Sequence, residues 1–115
     1  MTAADVVLRT AAGRLVCPRC ELADTPWRRL RGLLGRDLPA DAGLLIRPSS
    51  SVHMLGMRYA IDAVFLDREQ RVLRIAAGLA PWRLASCRGA RAVLELPSGA
   101  CAAAGLREGD VLVAG

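Results

Sequence analysis

Short β-prone runs, each stopped by glycine, proline or small polar residues, recur along the chain at roughly 8–15-residue intervals. This spacing limits what the chain can fold into. Val6-Val7-Leu8 can turn through Ala11-Ala12-Gly13 onto Arg14-Leu15-Val16-Cys17, an opening hairpin whose second strand Pro18 is expected to cut short. Leu44-Leu45-Ile46 is a buried-strand candidate, ended by Pro48 and three serines. Ile61 to Leu66 and Arg71 to Ile75 flank Asp67-Arg68-Glu69-Gln70, which predicts a hairpin with a four-residue loop. Gly78 to Arg88 reads as irregular. Ala92 to Leu96 is a further strand, stopped by Pro97-Ser98-Gly99, and Val111-Leu112-Val113 is the last.

Helical signals are fewer. Asp24-Thr25-Pro26 offers cap oxygens and a proline suited to a first turn, and Trp27, Leu30, Leu33 and Leu34 then form one apolar stripe. Gly35 is a plausible stop. Ala100 to Ala104 has room for one or two helical turns before Gly105. The expected class is therefore mainly β, a β-rich α+β arrangement. It takes the form of a compact sandwich or barrel-like domain over residues 1–115, with one principal helix near residues 25–35.

The chain has 115 residues and only four aromatics, so the core must be aliphatic; roughly two-thirds of the unfolded surface can be buried at this size. The net charge of +5 comes from sixteen arginines, with no lysine, against eleven acids. The arginines spread from Arg9 to Arg107 and form no basic and aromatic stripe, so a nucleic-acid partner is not expected. No apolar run approaches the about 18 residues of a membrane span, and the N-terminus lacks the pattern of a signal peptide. A cytoplasmic location is expected. The four cysteines then read as thiols, ligands or redox groups rather than structural disulfides.

The segment Ser51 to Asp62 concentrates reactive side chains. It holds the single histidine and single tyrosine of the chain, with Met57, Arg58 and Asp62. Arg58 and Asp62 are four apart and could pair through charge-assisted hydrogen bonds. In the functional reading His53 and Arg58 hold a small anionic ligand; in the structural one Asp62 ties down its own loop with Arg58 as partner. One histidine excludes a multi-histidine metal site within the chain, and acid–base work by His53 would need Asp62 or Glu95 beside it. Arg31 and Arg36 of the expected helix are further ligand-binding candidates, against the simpler reading of a solvated face. Glu95, flanked by Leu94 and Leu96, could be a buried partner for an arginine.

Cys17-Pro18-Arg19-Cys20 has dithiol spacing, which suits a disulfide or half of a tetrahedral zinc site. The candidate helix begins several residues too late to lower a thiol pKa. A zinc ion would need two more ligands from Cys87, Cys101 or His53. Ordinary thiols are the simpler reading.

The order of these pieces resembles the family called domain of unknown function 192. The resemblance rests on Ala23-Asp24-Thr25, Arg31-Gly32-Leu33-Leu34-Gly35-Arg36, Gly43-Leu44-Leu45-Ile46, Ser51-Val52-His53, Met57-Arg58 and Ile61 to Asp67. It continues in Val93 to Gly99, Gly105-Leu106 and Gly109-Asp110, and so covers most of residues 23–113. It implies a compact β-sandwich with a flanking helix and no established class activity. The chain departs from the family where a hydroxyl or amide is usual after the histidine and Met54 stands instead.

These readings converge on a non-enzymatic binding or accessory module with a cleft around His53, Arg58 and Asp62, facing a small anionic ligand or a partner protein. No cofactor is implied. The alternative is a small enzyme, or a metal or redox site, using His53 with a carboxylate or the Cys17–Cys20 pair.

Overall fold

The computed structural model describes residues 5–23, 38–54 and 57–115. The expected helix near 25–35, with Arg31 and Arg36, lies outside these residues. The described chain is mainly β, in the order β1 (Asp5–Thr10), β2 (Leu15–Ala23), β3 (Ala42–Ile46), β4 (Ser51–His53), β5 (Ile61–Leu66), β6 (Val72–Leu79), β7 (Leu84–Ser86), β8 (Ala92–Pro97), a short helix α1 (Ala100–Ala104) and β9 (Leu112–Ala114).

Seven strands form one sheet in the order β6-β5-β8-β3-β2-β1-β9, and β4 pairs with β7 as a separate two-stranded ribbon. The large sheet is antiparallel except between β2 and β3. It rolls until its edges approach: Arg71 bridges Val111, the Val72 N–H donates to the Asp110 carbonyl (2.8 Å), and the Leu112 N–H donates to the Gln70 carbonyl (2.9 Å). The sheet is curled but not closed, so the barrel-like expectation captures the curvature and not a continuous wall.

All six residues of β5 are buried, because this strand has a core on each face. Val64 and Leu66 join Leu45, Leu94 and Leu96 in an inner cluster capped by Cys101 of α1 and by Leu106. Ile61, Ala63 and Phe65 join Leu44, Ile46 and Val93 in an outer cluster covered by Val52, Met54 and Ala85 of the ribbon region. Phe65 is fully sealed there, a burial that contributes roughly 2–3 kcal/mol.

The turns follow the local signals. Gly13 takes φ +97 in the β1–β2 hairpin. In the β5–β6 loop the Asp67 carboxylate accepts the N–H groups of Glu69 and Arg71, both at 2.9 Å. The helix α1 ends at Gly105 in the left-handed region, as its glycine suggests.

Two expectations need correction. Pro18 does not end β2, which runs on to Ala23. Val6 pairs with Cys20 but Leu8 with Cys17, so β2 carries one residue more than β1 between these pairs, a bulge at Pro18-Arg19. A bulge is one place where a strand accommodates a missing N–H donor. Gly78 to Arg88 is not wholly irregular: β6 extends to Leu79, and Leu84–Ser86 pairs antiparallel with Ser51–His53.

Candidate functional site

The ribbon organises the segment that carries His53. In the register of β4 and β7, Ser51 faces Ser86, Val52 faces Ala85 and His53 faces Leu84. Alternation turns Val52 and Ala85 into the outer core and leaves His53, Leu84 and both serines exposed. Met54 continues inward and is buried; its N–H donates to the Arg83 carbonyl at 2.8 Å. The Met54 carbonyl in turn accepts the N–H of Met57 (3.2 Å) and of Trp82 (2.8 Å). Met54 is thus an apolar anchor of the ribbon. Met57 packs against the outer core and Arg58 is exposed.

Asp62 is elsewhere. It alternates with Ile61 and Ala63, which face the outer core, so its own side chain enters the inner face with 1% of its surface exposed. There its carboxylate accepts the Gly78 N–H at 2.9 Å and the Cys101 N–H at 3.0 Å. The second bond serves the first turn of α1, where Gly99 has no side chain to cap with. The expected convergence of His53, Arg58 and Asp62 on one cleft is therefore not what the fold builds. His53 and Met57 belong to the ribbon side of β5, Arg58 is exposed next to Met57 in the chain, and Asp62 lies on the other side. Asp62 does tie structure down, with backbone N–H groups as partners in place of Arg58. A surface cleft lined by Thr10, Ala11, Ala12, Arg14, Gly109, Asp110 and Val111 includes none of these residues.

The Cys17–Cys20 pair is brought onto one face by the bulge. Residues three apart in a regular strand point in opposite directions, but with the extra residue both side chains enter the inner core. Hydrogen bonding from Cys20 lowers the Cys17 pKa despite burial, and the same contact, with burial, raises that of Cys20. Cys17 Sγ also packs over Gly43: a Cβ there would stand 2.8 Å from the sulfur and 2.8 Å from Leu96 Cδ2. All four cysteines are free thiols. Cys101 is pushed up to about 12, first by burial and then by the Asp62 carboxylate. Among the described residues no three potential ligands gather around a metal-sized space.

Two further features lie outside residues 51–62: the buried carboxyl already expected at Glu95, and one that the sequence reading missed. The first is Glu95, 4% exposed, whose ladder partners Leu44 and Ala63 belong to the outer core. Burial lifts its pKa from 4.5 to about 7, and among the described residues no hydrogen bond or ion pair reaches its carboxyl. The second is Trp82, 68% exposed, two residues before Leu84, which is 72% exposed on the outer side of the ribbon. The signal for it was charge: residues 42–60 and 72–94 contain no aspartate or glutamate until Glu95, yet hold Arg47, Arg58, Arg74, Arg83, Arg88 and Arg91. All six are exposed. Arg74 also donates to the Ser86 carbonyl at 2.7 Å, fastening the ribbon to β6.

Comparison with known proteins gives consistent results. The family model DUF192, described as Uncharacterized ACR, matches residues 7–114, which brings the opening hairpin into the family region as well. A UPF0127 protein of Thermococcus sibiricus is 31% identical over 82% of this chain, which spans 64% of that relative's length. A UPF0127 protein of Pyrococcus furiosus is 31% identical over 92% of this chain and 95% of its own. A solved structure of a Novosphingobium aromaticivorans protein of unknown function superposes with a TM-score of 0.81 at 29% identity, covering 95% of this chain and 83% of that one. No helix among the described residues is long and apolar enough to cross a membrane. The chain belongs to the DUF192 family, whose relatives here carry the name UPF0127.

Proposed function

We propose that the chain is a non-enzymatic binding module that offers the outer face of the β4–β7 ribbon, with His53 and Arg58, to an anionic ligand. The observation that carries this reading is the separation of His53 from its expected carboxylate. Asp62 is committed to two backbone N–H groups inside the roll. Among the described residues no hydrogen bond or ion pair joins His53 to an acid, the pairing that acid–base work by this histidine would use. What stays at the surface is a histidine and an arginine in a stretch without acids, an environment that attracts anions.

Titration of the 15N-labelled chain with inorganic phosphate tests the reading. Amide shifts are expected to cluster at residues 51–54, 57–58 and 82–86, to vanish in Arg58→Ala and to weaken in His53→Ala, with Tm unchanged in both. No shift, or shifts scattered over all arginines, sinks it.

A second reading, dithiol chemistry at Cys17 and Cys20, is favoured by the bulge that sets both thiols in contact on one face. Oxidised glutathione would take two electrons and two protons from the pair, leaving a Cys17–Cys20 disulfide and two molecules of reduced glutathione. Mass spectrometry of the folded chain showing both thiols still free after prolonged exposure excludes it.

A further inference from the structure

We infer that the partner of the β4–β7 face is an acidic protein segment with an aliphatic or aromatic side chain, which seats against Trp82 and Leu84 while its carboxylates meet Arg58 and Arg83. This rests on the ribbon being the recognition surface and adds the class of occupant. Trp82 and Leu84 are the two most exposed large apolar residues described, and the ribbon's own packing uses Val52, Ala85 and Met54 instead. The fold gains little from them.

The backbone of Trp82 points the same way. Its φ is +67, a left-handed conformation that bulky side chains rarely adopt, held by the N–H bond to the Met54 carbonyl. Glycine or asparagine would take that conformation at lower cost, yet an indole stands there facing solvent.

The surroundings supply the charge argument. Arg83 precedes Leu84, and Arg58 follows the turn in which the Met57 N–H donates to the Met54 carbonyl. Residues 42–60 and 72–94 combine tryptophan and arginine without an acid, the composition of protein-interface centres, and guanidinium groups pair with carboxylates at two points. A second copy of this chain is a poor complement. Its β5–β6 and Arg107–Asp110 turns carry four acids (Asp67, Glu69, Glu108, Asp110) but also Arg68, Arg71 and Arg107. Asp67 and Asp110 moreover accept N–H groups of their own loops. Single-stranded nucleic acid would call for more than one stacking platform, and Leu84 is not one.

The test is binding of the 15N-labelled chain to a glutamate-rich peptide with a central Leu-Leu pair, and to the same peptide with Ala-Ala. The expected result is saturable binding of the first and roughly tenfold weaker binding of the second. Leu84→Ser and Trp82→Gly should weaken the first peptide by a similar factor, with Tm unchanged or, for Trp82→Gly, raised. Equal affinity for both peptides overturns the inference while leaving the anion-binding reading intact. Tighter binding of a single-stranded oligonucleotide, or of vesicles with anionic phospholipid, also overturns it. Failure of every anion, phosphate included, removes both.

Discussion

Asp62 and Glu95 are both buried carboxylates on adjacent strands of one sheet, and the fold treats them in opposite ways. Asp62 enters the inner core and meets two backbone donors, one of which starts a helix. Glu95 enters the outer core between Leu44 and Ala63, where among the described residues nothing donates to it. The first is a fastening that needs its charge or at least its acceptors. The second is a group that burial drives toward its neutral form. Burial alone therefore says little about what a carboxylate contributes; the donors facing it decide.

The most severe way to break this contrast is Asp62→Ala. It leaves the Gly78 and Cys101 N–H groups without their acceptor, and at roughly 1–3 kcal/mol for each orphaned donor a loss of about 4 kcal/mol is expected in urea unfolding. A loss below about 1 kcal/mol would mean that water or a shifted backbone replaces the carboxylate.

Glu95 is tested by pH. Its folded pKa, about 7, lies above its ordinary value of 4.5, so between these the folded chain holds the extra proton and stability falls as pH rises. The penalty is complete above about pH 7 and amounts to about 3 kcal/mol, with 1.4 kcal/mol for each unit of difference. Unfolding measured from pH 5 to pH 8 should show that decline in the parent and a flat profile in Glu95→Gln. Parallel profiles would show that Glu95 stays charged with a partner.

Packing on the inner face is probed by Gly43→Ala. The added methyl meets Cys17 Sγ, Leu96 Cδ2 and the Glu95 carbonyl at 2.8–3.0 Å, and overpacking of this kind costs about 2 kcal/mol. The smallest effect is expected at Leu84→Ser, within about 0.5 kcal/mol of the parent, since that side chain lies outside both cores. A clear loss there would make Leu84 part of the fold and weaken its reading as a docking residue.

Much of this architecture could be read along the chain, because its causes are local. The β1–β2 hairpin, the Asp67–Gln70 loop, α1 with its glycine stop and the buried Ile61–Leu66 strand follow from alternation and turn chemistry within a few residues. The ribbon was only half legible. Ser51–His53 lies in a recognised segment, but Leu84–Ser86 is a three-residue strand with its leucine exposed, too short for periodicity to reveal. The candidate site suffered most. Arg58 and Asp62 are close in sequence, yet β5 begins between them and its parity sends Asp62 to the inner face.

What the sequence by itself determined is the inventory: a mainly β chain of the DUF192 family, its turns, its aliphatic core residues and two stretches, 42–60 and 72–94, that hold arginine without acid. Only the tertiary structure decided which of these groups meet. Sheet order places β8 between β5 and β3, a single surplus residue in β2 turns Cys17 and Cys20 to the same side, and the β4–β7 pairing sets Leu84 across from His53. The physical reason is that strand alternation fixes only which residues share a face. Which face becomes a core, and what it then meets, depends on partners far away in the chain.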